Sequence, residues 1–168
     1  TKITKFKAKS KKGWRKMKFG IVSDSSCDLN AEYTQREQVS VVSFYVSFDG
    51  EHYLKEGKEA EITEFYQKMA DNSDCYPKTS MPSIQDYMDA FRPFAEQGMP
   101  VLCICLTKTF SGSMQSAVSA KAEIEEEYPE AEIYVMDSQL VTGLQGSLVK
   151  EAVRLRNAGL ELDEAVGA

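Results

Sequence analysis

The chain has 168 residues, of which 42% are hydrophobic and 27% charged, with no apolar run near the roughly 18 residues that cross a membrane. Its formal net charge is −6, and residues 17–168 alone hold 12 of the 20 basic and all 26 acidic residues, a net of −14. These numbers exclude a membrane-spanning protein, do not suit a nucleic-acid binder, and predict a cytoplasmic chain of one compact domain or slightly more.

The first sixteen residues differ from the rest in charge. Thr1–Lys16 contains seven Lys and one Arg but no acidic residue, and it lacks the apolar core of a secretory signal. An RNA-contacting or membrane-surface arm would have this composition. Because the globular pattern begins at Met17, we interpret residues 1–16 as an upstream extension or a cloning remnant.

The first half of the globular region predicts strands followed by two helices. Phe19–Ser23 is a short apolar strand, and Val39–Phe48 is a β-rich run closed by Asp49-Gly50, a tight-turn signal with Glu51–Leu54 as the return strand of a hairpin. Apolar residues then recur at helical spacing in two segments, the second capped by a serine. These are Ile62, Phe65, Tyr66 and Met69, and then Ile84, Tyr87, Met88 and Phe91 after Ser83.

The second half predicts buried strands that alternate with amphipathic helices. Val101–Leu106 and Ile133–Met136 are the strands; one helix lies between them, and a second runs from about Leu144 to a stop at Gly159. Ser113 is the expected cap of the first helix, whose inner face holds Ala117, Val118, Ala120 and Ile124. The fold class is therefore α/β, a mostly parallel sheet with flanking helices plus a β-hairpin.

The last residues resemble the opening of another helix. Leu160–Val166 has this pattern, and a helix capped at Asp163 is expected to continue past Ala168. We therefore expect the sequence to be the first part of a longer protein, with residues 17–160 as an α/β domain and residues 161–168 as the start of a truncated second region.

The rare residue types limit the possible chemistry. His52 is the only histidine, so zinc sites with several histidines are excluded and a Ser-His-Asp triad would have to use His52, which lies by a predicted turn with no evident orienting partner. Cys103 and Cys105 share a face of a predicted strand, an arrangement that suits packing rather than a disulfide.

Hydroxyl-bearing residues follow the ends of several predicted strands. Open α/β sheets bind ligands at the carboxyl ends of their strands, and hydroxyls with free backbone N–H groups can hold an oxyanion there. The pattern of several such clusters therefore predicts a carboxylate or phosphate site, although helix capping is the favoured role for any single serine. The clusters are Ser23–Ser26, Thr107–Ser113, Asp137-Ser138 and, before a predicted helix, Lys78–Ser83.

Two other classes of function are compatible with these residues. A small-molecule phosphotransferase or hydrolase could use Asp24, Asp137 and the nearby serines, and Mg²⁺ could bind Asp24, Asp28 and Asp137, although turn-forming and capping roles are favoured for these aspartates. A non-catalytic module could instead bind a protein partner through its acidic surface. The chain contains no P-loop, no G-x-G-x-x-G after the first strand and no G-x-S-x-G, and we predict no catalytic residue, no metal and no cofactor.

An ordered set of motifs resembles the DegV family of bacterial fatty-acid-binding proteins. No single motif is decisive, but their order along the chain is that of the family. The matching segments are Ile21–Leu29, Phe48–Tyr53, Lys78–Ser83, Thr109–Ala117 and Val135–Ser138, followed by a glycine-bearing helix start.

The resemblance implies the N-terminal domain of a two-domain protein that holds one long-chain fatty acid and presents its carboxylate to a separate fatty-acid kinase subunit for acyl-phosphate formation and phospholipid synthesis. The family's carboxylate contacts fall on Thr79 and Ser111. Secondary candidates for the site are Ser80, Gly112, Ser113 and Ser26. The protein itself would catalyse nothing.

Some positions depart from the family pattern. Met81 stands where glutamine is usual, Ser113 replaces threonine, and Thr107-Lys108 replaces a common Ser-Ser pair. Of the glycines expected after Asp137-Ser138, Gly146 is in place and Gly143 is shifted by one position.

Overall fold

The computed structural model describes residues 17–72, 74 and 76–168, so the prediction for residues 1–16 lies outside the described residues. The elements, in chain order, are β1 (Gly20–Asp24), a 3-10 turn (Ser25–Cys27), α1 (Ala31–Arg36), β2 (Val39–Val42), β3 (Tyr45–Ser47), β4 (Leu54–Lys55), α2 (Ile62–Asp71), β5 (Lys78–Ser80), α3 (Ile84–Ala95), β6 (Val101–Cys105), α4 (Ser113–Glu127), β7 (Ile133–Asp137), α5 (Thr142–Asn157) and α6 (Leu162–Val166).

A parallel sheet with the strand order β2-β1-β6-β7 forms the centre of the fold. Alternate residues of each strand face opposite layers. Val22 and Cys103 pack in a core with α3 and α4, whereas Ile21 and Leu102 pack in a second core with α5 and α6. The predicted α/β class is confirmed. Because β1 has β2 on one side and β6 on the other, the space between the ends of β1 and β6 is the topological switch point of the sheet.

A smaller antiparallel sheet with the order β4-β3-β5 lies beside the parallel one. The predicted run Val39–Phe48 is divided between the two sheets, as β2 and β3. The hairpin is present, but its return strand is Leu54–Lys55 and not Glu51–Leu54. The reason is the Asp49 side chain, whose Oδ1 accepts hydrogen bonds from the backbone N–H groups of Glu51 and His52 and so widens the turn.

The helices show where periodicity predicted structure correctly and where it did not. Ser83 caps α3 as predicted, whereas α4 begins at Ser113 after Gly112, so the prediction of Ser113 as a cap is wrong. Val118 is exposed and not part of the inner face of α4. Helix α2 forms as predicted, but none of its residues is fully buried. No helix in the described part of the chain combines the length and the apolar character needed to cross a membrane.

The C-terminal residues pack against the second core. Glu161, and not Asp163, precedes α6, and its backbone N–H donates to the Glu164 carboxylate. Leu162 and Ala165 of α6 are buried beside α5.

Asp86 joins the smaller sheet to the start of α3. Its carboxylate accepts hydrogen bonds from Tyr45 Oη at 2.8 Å, Lys55 Nζ at 2.6 Å and the Ser83 hydroxyl at 2.6 Å. Burial raises the pKa of Asp86, but hydrogen bonds from Lys55, Ser83 and Tyr45 outweigh it and hold the pKa at about 2, below the usual 3.8. The carboxylate therefore stabilises the fold only in its ionised form.

This network predicts an acid-sensitive contribution to stability. Because the pKa is lower in the folded state, the contribution is complete above about pH 4 and is lost as the pH falls to about 2. Urea unfolding between pH 5 and pH 2 should show the wild type losing about 2 kcal/mol more than Asp86→Asn. Equal losses in the two proteins would contradict this assignment, and Asp89→Asn, on the exposed side of α3, is the control.

Candidate functional site

The carboxyl ends of β1 and β6 meet at a buried carboxylate. Asp24 is fully buried, and its Oδ2 accepts from Leu106 N and the Ser113 hydroxyl, both at 2.9 Å. Its Oδ1 accepts from the Ser26 hydroxyl and from Gln145 Nε2, the latter at 2.9 Å. The carboxylate is thus surrounded by donors from four segments of the chain, and its role is to hold the switch point together.

Tyr87 of α3 belongs to the same network. Its hydroxyl lies 2.7 Å from the Ser113 hydroxyl and 3.4 Å from Asp24 Oδ2. Since Ser113 gives its proton to Asp24, Tyr87 must donate to Ser113. Burial raises the pKa of Tyr87 well above its usual value, which keeps this hydroxyl a neutral donor. Ser113 therefore supports the site from within the fold, and its hydroxyl is not available to a ligand.

Ser26 and Gln145 also have structural roles in this network. The Ser26 hydroxyl lies 2.8 Å from Gln145 Oε1 in addition to its contact with Asp24. Gln145 is fully buried, and its Nε2 also donates to the Ser23 hydroxyl at 3.2 Å. Sequence reasoning missed Gln145 because a lone glutamine on a helix carries no recognisable spacing signal.

Ser111 is a hydroxyl of this edge that remains able to donate. It is partly exposed, and its Oγ accepts a hydrogen bond from Ser113 N at 3.2 Å, at the first turn of α4. A hydroxyl that accepts from an N–H group keeps its own proton free. The proton of Ser111 can therefore point to a ligand outside the loop.

Thr79 lies on the smaller sheet, opposite Val46 of β3. Thr79 and its neighbour Ser80 are exposed, and within the described residues the Thr79 hydroxyl has no hydrogen-bond partner. The strand Lys78–Ser80 was not predicted, because three polar residues without apolar alternation give no strand signal.

Met81 connects the Thr79 strand to the Ser111 loop. The Met81 sulfur lies 2.6 Å from the place that a Cβ on Gly112 would occupy. Met81 precedes Pro82, which favours extended backbone, so Met81 and Thr79 are on the same face of the chain. A larger residue at position 112 would have to displace the Met81 side chain, so this contact shows that the Thr79 strand and the Ser111 loop lie close together.

Three large apolar side chains that follow strands are left exposed. Met81 is 47% exposed, Phe110 79% and Leu144 62%. They follow β5, β6 and β7 respectively. An exposed apolar group of this kind, next to free hydroxyls, suits a ligand with a polar head and an apolar chain.

The three aspartates considered for an enzyme or a Mg²⁺ site do not form a common site in the structure. Asp24 is enclosed by donors and cannot reach a substrate, while Asp137 accepts from Gln139 N at 2.9 Å and lies 3.9 Å from Lys108 Nζ. Among the described residues no group of three or more His, Cys, Asp or Glu side chains could hold a metal ion. Asp28 is exposed at the end of the 3-10 turn in a left-handed conformation.

His52 has an orienting partner that the sequence did not reveal. Its Nδ1 lies 2.7 Å from Asp49 Oδ2, across the hairpin turn. Hydrogen bonds from the backbone N–H of His52, from the His52 ring and from the backbone N–H of Glu51 hold the pKa of Asp49 far below its usual value. Within the described residues no serine hydroxyl is hydrogen-bonded to this ring, so the pair is a turn contact and not part of a triad.

Sequence comparison identifies the family. The model of DegV, described as an uncharacterised protein family, matches residues 18–168. A DegV domain-containing protein of Clostridium perfringens is 29% identical over 147 residues, which cover 88% of this chain and 50% of the relative. One from Staphylococcus aureus is 28% identical over 151 residues, 89% of this chain and 51% of the relative. The chain spans about half the length of the curated relatives that it matches.

Solved structures share the fold. A protein of Eubacterium ventriosum described as binding stearic acid is similar with a TM-score of 0.86 and 45% identity, over 89% of this chain and 51% of that one. A Thermus thermophilus DegV family protein, described by its fatty-acid binding, has a TM-score of 0.76 and 29% identity, over 90% of this chain and 51% of that one. With the family model matching from Lys18 to the last residue, the chain belongs to the DegV family.

Proposed function

We propose that this chain binds one long-chain fatty acid, with its carboxylate on the hydroxyls of Thr79 and Ser111. The observation that carries the proposal is the Met81–Gly112 contact, which supports a common location for the Thr79 strand and the Ser111 loop. Both hydroxyls are free to donate, and an oxyanion is the ligand that two converging O–H donors favour. The similarity to the stearic-acid-binding protein of Eubacterium ventriosum points to the same class of ligand.

The two parts of the ligand contribute unequally to the affinity. A hydrogen bond from a neutral hydroxyl to a carboxylate contributes about 1.5–3 kcal/mol. Burial of an acyl chain contributes about 0.8 kcal/mol for each CH₂ group. A long chain therefore contributes more binding free energy than both hydroxyls together. Met81, Phe110 and Leu144 are the exposed apolar side chains placed to begin that burial.

The protein is proposed to act as a carrier and not as an enzyme. Its bound carboxylate would be presented to a separate fatty-acid kinase, which would make the acyl phosphate for phospholipid synthesis in the cytoplasm. An exposed edge supports this role, because a kinase must reach the carboxylate while the acyl chain stays bound. Asp24, the strongest candidate for catalysis, is enclosed by the fold.

Loss of either hydroxyl is expected to weaken fatty-acid binding about 10–100-fold, since each variant removes one hydrogen bond to a charged group. Native mass spectrometry with lipid extraction should show one fatty acid on the purified wild type and less on Thr79→Val and Ser111→Ala. Stearic acid titration then gives the affinities.

Thr63→Val, on the exposed helix α2, and Ser119→Ala are matched controls that make the same chemical changes away from the proposed site. Their fatty-acid content should equal that of the wild type. Full retention of the lipid by Thr79→Val and Ser111→Ala together would refute the carboxylate assignment. Failure of the wild type to take up stearic acid would refute binding by this chain.

A further inference from the structure

A cavity lies at the amino-terminal edge of the parallel sheet, opposite the carboxyl ends of its strands. Its volume is about 420 Å³, and it is formed where the chain enters β1 and β2 and where α5 ends. Lys18, Arg36 and Arg156 contribute cationic side chains to its wall, together with Glu37 and Asn157. None of these residues belongs to the Thr79–Ser111 site, so the inference does not depend on the proposed function.

Arg156 is the unusual member of this wall. The residue is only 4% exposed. Its Nη2 donates to the backbone carbonyl of Glu37 at 2.5 Å, and its Nε makes a long contact of 3.4 Å with Asn157 Oδ1. Its buried Nη1 has no acceptor among the described residues. A guanidinium group carries five N–H donors, so much of its capacity is unused.

The charges around the cavity do not balance. Three cationic side chains line it against the single carboxylate of Glu37. That carboxylate is already engaged by Arg36 Nε at 2.9 Å and by Asn157 Nδ2 at 3.2 Å. Lys18 pairs with Glu161 at the rim. Within the described part of the chain, Arg156 therefore has no hydrogen-bonded carboxylate of its own, and shares the charge of Glu37 with Arg36.

A buried charge of this kind is costly unless an opposite charge accompanies it. Burial lowers the pKa of Arg156 from its usual value, which shows the same cost. The sixteen residues that precede Met17 contain no Asp or Glu, so they cannot supply the missing negative charge.

We propose that this cavity binds a small, soluble phosphate-bearing molecule, with the exposed guanidinium of Arg36 as its contact and the buried Arg156 supplying positive charge beneath it. The planar fork of a guanidinium matches the oxygens of a phosphate group better than a lysine does. The volume falls in the range of small-molecule sites and exceeds what inorganic phosphate alone fills, so an organic phosphate is the class of ligand.

Inorganic phosphate is the probe for this site. Titration of the whole chain with phosphate, at constant ionic strength set by sodium chloride, should show saturable shifts of the backbone amide signals of Glu37, Gln38 and Asn157 in NMR spectra. Arg156→Gln should weaken this binding at least about ten-fold. Arg36→Gln should weaken phosphate binding too. Because Arg36 is exposed, this variant is expected to fold and keeps the test valid if Arg156→Gln does not fold.

Arg154→Gln is the matched control, because Arg154 is exposed on the same helix, pairs with Glu151 and loses the same charge. Its phosphate affinity should equal that of the wild type. Equal weakening by Arg154→Gln would mean that phosphate responds only to net charge and would overturn the proposal. A wild type without saturable shifts would overturn it as well.

Discussion

Replacement of Asp24 by alanine is expected to lower the free energy of unfolding by about 3–5 kcal/mol, because several buried donors lose their acceptor at once. The carboxylate accepts hydrogen bonds from Leu106 N, Ser113, Ser26 and Gln145, all at a position with no exposure to solvent. Each buried donor that loses its acceptor costs about 1–3 kcal/mol, and water cannot replace the acceptor easily. Urea unfolding monitored by circular dichroism measures the change.

Asp24→Asn separates charge from shape in the same experiment. The amide keeps the side-chain volume, but its NH₂ group faces donors such as Leu106 N or Gln145 Nε2, so a loss of about 1–3 kcal/mol is expected. Asp89→Ala, on the exposed side of α3, should change stability by less than about 0.5 kcal/mol. If Asp24→Ala were as stable as Asp89→Ala, the network could not be what joins β1 to β6.

Gly146→Ala is expected to destabilise the fold by about 2–3 kcal/mol or to prevent folding. A Cβ at position 146 would lie 2.3 Å from the backbone carbonyl oxygen of Cys27, and backbone cannot move aside as a side chain can. Helix α5 is in contact with the 3-10 turn at this point, so any relief requires the helix to shift away from β1. Thermal or urea unfolding of the purified variant gives the magnitude.

Gly143→Ala on the same helix is the matched control. Nothing lies within 4 Å of a Cβ at position 143, and alanine has the higher helix propensity. This variant should therefore be as stable as the wild type or more stable by up to about 1 kcal/mol. A similar loss in both variants would show that the effect comes from the helix itself and not from the contact with Cys27.

The apolar elements of the fold were predictable because burial dominates their sequence. Val101–Leu106 is a continuous apolar run with no competing interpretation, and its placement as β6 in a parallel sheet followed from the helices around it. The α3 start was equally clear, since Ser83 and Asp86 form a capping box that is local in sequence. Signals of this kind need no information from distant residues.

The polar elements were predictable only where their partners are local. Lys78–Ser80 is a strand because β3 offers it a hydrogen-bonding edge, and nothing in these three residues indicates that edge. Ser113 is a residue type that often caps helices, yet its hydroxyl donates a hydrogen bond to Asp24, which is 89 residues away in the sequence. In the same way, the resemblance implied that Thr79 and Ser111 share a site. The contact of Met81 with Gly112, which brings their segments together, could be seen only in the structure.

The position of β5 has a consequence for how the two hydroxyls move. Thr79 lies on an edge strand of three exposed residues that pairs only with β3, whereas Ser111 is tied to α4 through Ser113 N. Edge strands with little burial open locally at small cost, and helix starts anchored to a core do not. Ser111 is therefore the rigid side of the pair and Thr79 the mobile one. Under the proposed function, a fatty acid would enter or leave by displacement of β5 while the network under Ser111 stays intact.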